Sequence, residues 1–316
     1  MSSSGDKTTK GHFSGGFGTA LFPLPDTAHA LLRDLIVTRT GILFDDSKRG
    51  LLADKLSELV AANGLTSFLD YYYLLRYDSS ESHWAALMNR LAVPETYFWR
   101  QSEQLTTLAR VVAPALLAAK PGRPLRIWSA ACCTGEEPLS IAIALDQAGL
   151  LETNVVQIDA TDGSSAMIER ARACSYGGRS FRQLPDDLRA KYFTPEGDRW
   201  RPDPRLSRRI HWNVANLARP AEIEGYASAD VIFCRNVFIY FSDDAIRGVV
   251  RVFSKHMPAD GYLFLGASES LTRLGVDLEL VEIGGAFAYV KEGRRQIVER
   301  ERPSGAGISA ALRVVP

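Results

Sequence analysis

From Leu125 onward, apolar segments alternate with amphipathic segments, and this alternation constrains the fold more than any other feature of the sequence. The apolar segments LRIWSA, VVQIDAT, ADVIFCRN and GYLFLGAS have the length of strands, and helical patterns follow Pro138 and run through SSAMIERARA and DDAIRGVVRVFSKHM. Strands that are apolar on both faces and separated by helices form mostly parallel sheets covered on each side. The sequence therefore predicts an α/β domain whose ligand site lies at the carboxyl ends of its strands.

A purely helical pattern precedes this domain. Apolar residues from Leu31 to Ile36 recur with a helical period that stops at Gly41, and a second stripe stops at Asn63-Gly64. Glycine and asparagine are typical of helix ends. Two further apolar stripes follow, so we predict an all-helical N-terminal domain over residues 26–100.

Less regular segments interrupt or flank these two regions. A stretch at about residues 177–211 contains EGDRWRPDPRL, which favours short antiparallel hairpins and predicts a small β-subdomain inserted in the α/β domain of residues 101–291. Residues 1–25 are low in apolar periodicity and are predicted to be a disordered tail. Residues 292–316 are charged and then contain Gly and Ser, and we interpret them as a C-terminal tail.

Charge and composition argue against several classes of partner. The 316-residue chain carries 37 basic and 37 acidic side chains, so no overall field recruits nucleic acid or an anionic membrane. No apolar run approaches the roughly 20 residues of a membrane span, and the first residues lack a signal-peptide core. The cysteines show no CxxC spacing and the histidines no HxxxH pair. We therefore expect a cytoplasmic protein that holds no metal, binds no nucleic acid and does not insert in a membrane.

The corner SAACCTGEEP lies between a predicted strand and a predicted helix. A phosphate loop needs several glycines, but this corner has only Gly135, and Glu136 and Glu137 would repel a pyrophosphate. The two carboxylates suit a ligand whose nearby end is cationic. A second interpretation stays open, in which both glutamates only complement the helix dipole and Thr134 forms a capping box with Glu137.

A further acidic residue, Asp162, follows the strand VVQIDAT at the same edge of the sheet. An acidic side chain at this position can accept hydrogen bonds from a ribose diol. Asp159, earlier on the same strand, is predicted to point to the same face and to lie deeper. A nucleoside with a cationic amino-acid arm and no phosphate fits both features, and S-adenosylmethionine is such a molecule.

Several ordered motifs now point to a family. The segments RIWSAACCTGEEPLSIAIAL, VANL, DVIFCRNVFIYF and GYLFLGASESL resemble successive motifs of the chemotaxis receptor methyltransferases, the CheR family. In the helical region, TRTGILFDDSKRGLLADKLSEL resembles the family's N-terminal helices, and LAVPETYFWR resembles the segment that joins its two domains. The likeness runs from about Leu31 to Val290. It implies a Rossmann-like S-adenosylmethionine-dependent methyltransferase domain with an inserted antiparallel β-subdomain, preceded by an all-helical domain.

The resemblance also implies roles for individual residues. Arg100 and Tyr240 would steer the incoming substrate carboxylate and are the candidate catalytic residues. Contacts to the cofactor would come from the interdomain segment, the loop after the first strand and later motifs, through Thr96, Arg100, Glu136, Asp162, Asn216, Leu217, Arg235 and Asn236. Among these, Glu136 would meet the methionine part and Asp162 the ribose. No metal ligand is implied.

The implied reaction is methyl transfer from S-adenosylmethionine to glutamate side chains on the cytoplasmic coiled-coil region of methyl-accepting chemotaxis receptors. The products would be glutamate methyl esters and S-adenosylhomocysteine. Two departures from the family pattern qualify this expectation. Pro94, in VPET, stands where many members have an asparagine that contacts the cofactor, which indicates a variant subgroup. The compact EGDRWRPD segment predicts docking that is independent of a receptor C-terminal peptide, by an enzyme expected to be a monomer.

Other functions remain as alternatives. The segment GASES suggests a serine hydrolase, but Ser270 stands where a nucleophile elbow needs its second glycine, and no histidine follows His256. A hydrolase is therefore set aside, and two alternatives are kept. A small-molecule O-methyltransferase would use the same cofactor fold and is the second hypothesis. A non-catalytic adaptor that binds S-adenosylmethionine without transferring its methyl group is the third.

Overall fold

The computed structural model describes residues 22–293 and the short strand Arg313–Val314. Most of the first predicted tail, residues 1–21, lies outside the described residues. So do residues 294–312 and 315–316 of the predicted C-terminal tail. Residues 22–25 lead directly into the first helix, and Phe22 packs edge-on against Phe68 with 6.3 Å between the ring centroids.

Four helices form the N-terminal region, as predicted: α1 (Asp26–Thr40), α2 (Arg49–Ala62), α3 (Phe68–Tyr77) and α4 (Glu81–Leu91). Their apolar stripes meet in one core in which Leu32, Ile36 and Leu56 are fully buried. Gly41 ends α1 in the left-handed conformation, with φ at 79°. A side chain at this position would strike the ring of Phe241, so glycine also permits the close approach of the two domains.

The remaining chain follows the predicted alternation of helices and strands. Its first part consists of α5 (Ser102–Thr107), α6 (Ala113–Ala119), β1 (Leu125–Ala130), α7 (Glu136–Gln147), α8 (Leu150–Thr153), β2 (Val156–Asp162) and α9 (Ser165–Ala173). An insertion then contributes β3 (Tyr176–Gly177), α10 (Asp186–Tyr192), β4 (Phe193–Glu196), β5 (Arg199–Pro202) and α11 (Pro204–Ser207). The last part consists of β6 (Ile210–Val214), α12 (Pro220–Ile223), β7 (Val231–Cys234), α13 (Asp243–His256), β8 (Tyr262–Leu265), β9 (Leu278–Ile283), β10 (Ala286–Lys291) and β11 (Arg313–Val314).

Within the described residues, the strands form two sheets. The larger has the order β11-β9-β10-β8-β7-β1-β2-β6. Its strands β8, β7, β1, β2 and β6 are parallel, and β9, β10 and β11 add antiparallel pairs at one edge. The smaller sheet, β3-β5-β4, is antiparallel. The predicted mostly parallel sheet with a small antiparallel insertion is therefore confirmed.

Four strands of the large sheet were not recognised in the sequence: β6, β9, β10 and the two-residue β11, which lies in the predicted C-terminal tail. Strand β6 begins at Ile210, inside the range assigned to the insertion, but it pairs in parallel with β2 and belongs to the main sheet. Strands β9 and β10 form a hairpin around Gly284 and Gly285, both with positive φ. The strands follow each other too closely for a helix, so the search for strand–helix alternation missed them.

The order of the sheet reverses between β1 and β7, because β2 lies on one side of β1 and β7 on the other. At such a reversal the connecting segments leave toward opposite faces and open a crevice at the carboxyl ends of the strands. Both faces of the sheet are covered: Ile127 and Phe233 are buried in one apolar core, Trp128 and Ile232 in the other. The crevice is thus the place where this part of the fold can receive a ligand.

A charged cluster holds the opposite, amino-terminal ends of the strands. Lys120 Nζ lies 2.7 Å from Asp230 Oδ1 and 2.7 Å from Asp260 Oδ1. Asp230 Oδ2 also accepts a hydrogen bond from the Arg126 backbone N–H at 3.0 Å. The Asp230 side chain is only 7% exposed, so these partners replace the water contacts that it loses on burial.

We expect Lys120→Met to lower the free energy of unfolding by about 2–4 kcal/mol, because loss of one partner leaves a buried carboxylate uncompensated. Urea unfolding of the full chain measures this change. Lys255→Met, the same substitution at an exposed position of α13, is the control and should change the free energy by less than about 0.5 kcal/mol. Equal effects of the two substitutions would contradict the burial argument.

Candidate active site

A cavity opens between the helical domain and the carboxyl ends of β1, β2 and β7. Eight of the nine residues singled out in the sequence line it: Thr96, Arg100, Asp162, Asn216, Leu217, Arg235, Asn236 and Tyr240. The ninth, Glu136, does not line it, and Glu137 does. The fold thus brings together residues that are up to 144 positions apart, from Thr96 to Tyr240.

The loop after β1 has an unusual backbone. Ala131, Cys133 and Gly135 adopt positive φ values of 62°, 52° and 95°. A Cβ at Gly135 would lie 2.8 Å from the Trp212 ring and 3.0 Å from Tyr176 Oη, so only glycine fits there. The alternating backbone turns the Cys133 N–H toward Asp162 Oδ2, to which it donates at 3.0 Å.

Glu136 is buried at the start of α7 and turned away from the cavity. Thr134 Oγ1 donates to its Oε2 at 2.6 Å, and Ser180 Oγ donates to its Oε1 at 2.9 Å. Burial raises the pKa of this carboxyl, with the two hydroxyl donors opposing the shift. The predicted capping box between Thr134 and Glu137 is not formed, because Gly135 is the N-cap residue and Thr134 bonds to Glu136 instead.

Glu137 is the glutamate of this corner that faces the cavity. Its Oε1 accepts a hydrogen bond from Ser129 Oγ at 2.6 Å, and its Oε2 lies 3.5 Å from Arg235 Nη1. Burial raises the pKa of the Glu137 carboxyl, and the charge of Arg235 opposes the shift. The sequence motif contained this residue, but two adjacent glutamates on a helix differ by 100° in direction, and the motif alone does not say which one faces inward.

Asp162 ends β2 and lines the cavity. Its two carboxylate oxygens accept backbone hydrogen bonds from Cys133 at 3.0 Å and from Ser164 at 2.8 Å. Burial raises the pKa of Asp162, and the two N–H donors oppose that shift. Each oxygen retains a lone pair that a ligand hydroxyl can use.

The expectation for Asp159 is wrong. It precedes Asp162 by three residues, and side chains alternate between the faces of a strand, so the two carboxylates point to opposite faces. Asp159 accepts a hydrogen bond from Gln157 Nε2 at 3.1 Å and lies 3.3 Å from His211 Nδ1. It does not line the cavity.

The interdomain segment, residues 92–101, meets the loop after β7 through Arg235. The Arg235 side chain donates to the Arg100 carbonyl oxygen at 2.5 Å and to Gln101 Oε1 at 3.0 Å. Arg100 donates to the Glu95 carbonyl oxygen at 3.1 Å, and its guanidinium lies 5.3 Å from the ring centroid of Tyr97. Arg100 and Tyr240 both line the cavity.

Tyr240 lies in the loop after β7, where that loop contacts the helical domain. Its carbonyl oxygen accepts a hydrogen bond from the Leu43 N–H at 2.8 Å, and the next residue, Phe241, forms an antiparallel β-bridge with Ile42. Burial raises the pKa of the Tyr240 hydroxyl, and Arg100 opposes this shift. The phenol therefore remains protonated at neutral pH and can donate a hydrogen bond.

Asn216 was expected to contact the cofactor, but its side-chain amide is hydrogen-bonded to the protein itself. Its Nδ2 donates to the Arg39 carbonyl oxygen at 2.8 Å, and its Oδ1 accepts from the Ala218 N–H at 2.9 Å. The side chain thus joins the loop after β6 to the end of α1. Leu217 is 6% exposed and supplies an apolar surface to the cavity.

Two contacts of the helical domain near the cavity were not indicated by the sequence. Asn89 Oδ1 accepts hydrogen bonds from Ser164 Oγ at 2.7 Å and from the Ala166 N–H at 3.1 Å, so α4 caps the start of α9 beside Asp162. Glu81 accepts from both Arg39 and Arg219. Both contacts span more than 40 residues of sequence, and no local pattern indicates them.

The inserted subdomain also reaches the site. The Ser180 carbonyl oxygen accepts from the Phe98 N–H at 2.8 Å, while the Ser180 hydroxyl holds Glu136. Arg182 lies 3.7 Å from the ring centroid of Tyr97 and donates to Glu95 Oε1 at 2.5 Å. The interdomain segment is therefore held both by Arg235 of the loop after β7 and by the inserted subdomain.

Backbone strain is concentrated around the cavity. Among the described residues, six non-glycine residues have positive φ, and all except Cys174 lie in the loops that bound the cavity: Trp99, Gln101, Ala131, Cys133 and Asn236. Left-handed backbone conformations in non-glycine residues persist where surrounding contacts hold them, and they are frequent at ligand sites.

The donors and acceptors of the cavity fit S-adenosylmethionine. Carboxylates of Glu137 and Asp162 can receive its cationic amino-acid arm and its ribose hydroxyls, and Leu217 can face its adenine. Over residues 22–293, no helix is both long enough and apolar enough to span a bilayer. The same residues contain no group of three or more His, Cys, Asp or Glu side chains arranged to hold a metal.

Comparison with known families assigns both parts of the chain. Residues 28–92 match the model of the CheR methyltransferase all-alpha domain, and residues 94–284 match that of the CheR methyltransferase SAM binding domain. The boundary between the two matches falls in the interdomain segment that lines the cavity.

Individual relatives agree with this assignment. The chain is 34% identical over 270 residues to chemotaxis protein methyltransferase 2 of Vibrio cholerae, covering 85% of this chain and 94% of that protein. It is 31% identical over 270 residues to chemotaxis protein methyltransferase 1 of Pseudomonas aeruginosa, covering 82% and 96%. It is 35% identical over 263 residues to the probable biofilm formation methyltransferase WspC of Pseudomonas aeruginosa, covering 83% of this chain but only 62% of that longer protein. The chain belongs to the CheR methyltransferase family and is an S-adenosylmethionine-dependent methyltransferase.

Proposed function

We propose that this enzyme methylates glutamate side chains on the cytoplasmic coiled-coil region of methyl-accepting chemotaxis receptors. The observation that carries the proposal is the meeting of Arg100 and Tyr240 with Glu137 and Asp162 around one cavity. The two acidic groups suit a cofactor with a cationic arm and a ribose. The arginine and the phenol supply the donors that a substrate carboxylate needs.

The chemistry needs no general base. A glutamate side chain has an ordinary pKa near 4.3, so it is ionised at neutral pH and can attack directly. Bound S-adenosylmethionine would supply the electrophilic methyl group. The protein's contribution is then orientation, which in favourable cases lowers a barrier by about 7–11 kcal/mol. We assign that task to Arg100 and Tyr240, as charged and neutral donors to the carboxylate.

We propose cofactor contacts through Thr96, Arg100, Asp162, Leu217, Arg235 and Asn236, with Asn216 acting through its bond to the helical domain. For the ammonium group we propose Glu137 in place of Glu136. This choice is supported by the position of Glu137 on the cavity wall, which Glu136 does not line.

We also propose that the VPET segment places this enzyme in a variant subgroup of the family. Pro94 is exposed and does not line the cavity, whereas its neighbours Val93 and Glu95 do. A proline in this position offers neither a side-chain hydrogen bond nor an N–H. We therefore propose that Pro94 does not replace the cofactor contact that an asparagine makes in other members. The expected monomeric state and cytoplasmic location stay predictions.

We expect incubation with labelled S-adenosylmethionine and membranes carrying the native receptors to place base-labile label on receptor-sized bands. Mild base should release the label as methanol. Arg100→Ala should reduce it by about 10- to 100-fold, since a hydrogen bond to a charged group is worth about 1.5–3 kcal/mol, and Asp162→Ala should abolish it through loss of the cofactor.

The matched control for this experiment is Arg251→Ala, at an exposed position of α13 away from the cavity, which should label receptors normally. Cofactor binding without receptor label would contradict the proposal. It would leave the small-molecule O-methyltransferase or the non-catalytic adaptor.

Glu137→Gln should raise the Kd for S-adenosylhomocysteine about tenfold or more, because a charged partner of the ammonium is lost. Glu136→Gln, the adjacent matched control, should change it by less than about threefold. Calorimetry on the purified full chain measures both. The reverse order of effects would restore the original assignment to Glu136.

The same measurement has an expected pH dependence. Burial raises the pKa of Glu137 above the ordinary value for a glutamate, so protonation begins at a higher pH than for an exposed glutamate. The wild-type Kd should therefore rise as the pH is lowered from 7 toward 5.5. Glutamine cannot titrate, so the Kd of Glu137→Gln should depend less on pH, and parallel curves would contradict this role.

We propose that docking does not need a receptor C-terminal peptide. Strands β4 and β5 are joined by a two-residue turn, Gly197-Asp198, which leaves little surface to grip a peptide. Receptors truncated at their C-termini should be methylated within about twofold of the full-length rate, measured by methanol release. A tenfold loss on truncation would show that the peptide is required.

A further inference from the structure

Four backbone N–H groups converge on the carboxylate of Glu269, a residue between β8 and β9 that is not among the cavity-lining residues. Its Oε2 accepts from Asn236 at 2.7 Å and from Gly266 at 2.7 Å. Its Oε1 accepts from Phe238 at 2.8 Å and from Ile239 at 3.3 Å. Each carboxylate oxygen of Glu269 therefore accepts two backbone hydrogen bonds.

Three of these donors belong to the loop that carries Arg235, Asn236 and Tyr240. Asn236 has a φ of 59°, a left-handed conformation that a non-glycine residue keeps only when its surroundings hold it. Phe238 and Ile239 begin the 3-10 turn that ends at Tyr240. The Glu269 carboxylate binds the first N–H groups of this turn and therefore fixes the direction in which the turn leaves β7.

Gly266 makes this arrangement possible. A Cβ at this position would lie 2.6 Å from Glu269 Oε2 and 2.7 Å from Asn236 Nδ2. The Glu269 N–H in turn donates to the Gly266 carbonyl oxygen at 2.9 Å. The segment GASES, which suggested a hydrolase, thus contains a glycine and a glutamate that act together on the loop after β7.

We propose that Glu269 is a positioning residue that holds Asn236 and Tyr240 in the geometry needed for methyl transfer. The inference rests on the proposed function, because Tyr240 is assigned to the substrate carboxylate there. Glu269 acts through the loop and touches neither substrate nor cofactor. Most of the proposed cofactor contacts come from other elements, so the transfer step should depend on Glu269 more than cofactor binding does.

Two variants test the proposal in different ways. Glu269→Gln keeps the size of the side chain but replaces one acceptor oxygen by an NH₂ donor, which would face two backbone donors. Gly266→Ala keeps the Glu269 carboxylate, but the added Cβ would displace it from its present position. Ser270→Ala is the matched control, since Ser270 is exposed and its hydroxyl lies 2.8 Å from Thr272 Oγ1, not against this loop.

Three quantities are measured on the full chain: amide hydrogen exchange of residues 236–239, the Kd for S-adenosylhomocysteine, and kcat with receptor membranes. In Glu269→Gln and Gly266→Ala we expect exchange at least tenfold faster in this loop, a Kd within threefold of wild type, and a kcat at least thirtyfold lower. Ser270→Ala should match wild type in all three.

Unchanged exchange in the loop, or a kcat within threefold of wild type, would overturn the proposal. So would faster exchange throughout the sheet with binding and kcat lost together, because Glu269 would then support only the fold. Exchange and binding need no receptor. A wild-type enzyme that fails to label receptors therefore refutes the proposed function separately.

Discussion

The buried guanidinium of Arg235 is the contact on which the site depends. Its side chain is only 2% exposed, and it joins Glu137, in the first turn of α7, to the backbone and side chain of the interdomain segment. An unpaired charge in this position would be strongly destabilising, since the desolvation of each ion costs several kcal/mol. All three segments must therefore be in place for the arginine to be satisfied, and this requirement couples the cofactor loop to Arg100.

The helical domain also forms one wall of the site. It contributes Asn89, which caps α9 beside Asp162, and its Arg39 carbonyl oxygen receives the Asn216 side chain. The β-bridge between Ile42 and Phe241 fixes the segment that follows Tyr240. A small-molecule methyltransferase could close its cofactor site with a short loop. A whole domain in this position offers in addition a surface for a large substrate, which agrees with a receptor as the proposed partner.

Carboxylates in this site serve two different purposes. Asp162 and Glu137 lie on the cavity wall, where burial raises their pKa and a cationic ligand would restore the favourable ionised form. Glu136 and Glu269 do not line the cavity, and their oxygens hold only hydroxyl and backbone donors of the protein itself. Sequence motifs contain all four as acidic residues near strand ends and do not separate ligand contacts from scaffold contacts.

The sequence by itself determined the α/β alternation and the helical domain, because apolar periodicity and strand ends are local properties of the chain. The eight cavity residues were implied by the resemblance of its motifs to the CheR family, and of these only Asp162 also followed from its place at a strand end. The sequence also indicated the chemistry of the cofactor, since acidic residues without a glycine-rich loop exclude a pyrophosphate. Only the tertiary structure decided that Glu137 and not Glu136 faces the cavity, that Asp159 points away, and that Asn89 and Glu269 hold the loops. The physical reason is that side-chain direction and burial depend on contacts between residues far apart in sequence, such as Ser180 with Glu136 and Glu269 with Asn236, which no local pattern encodes.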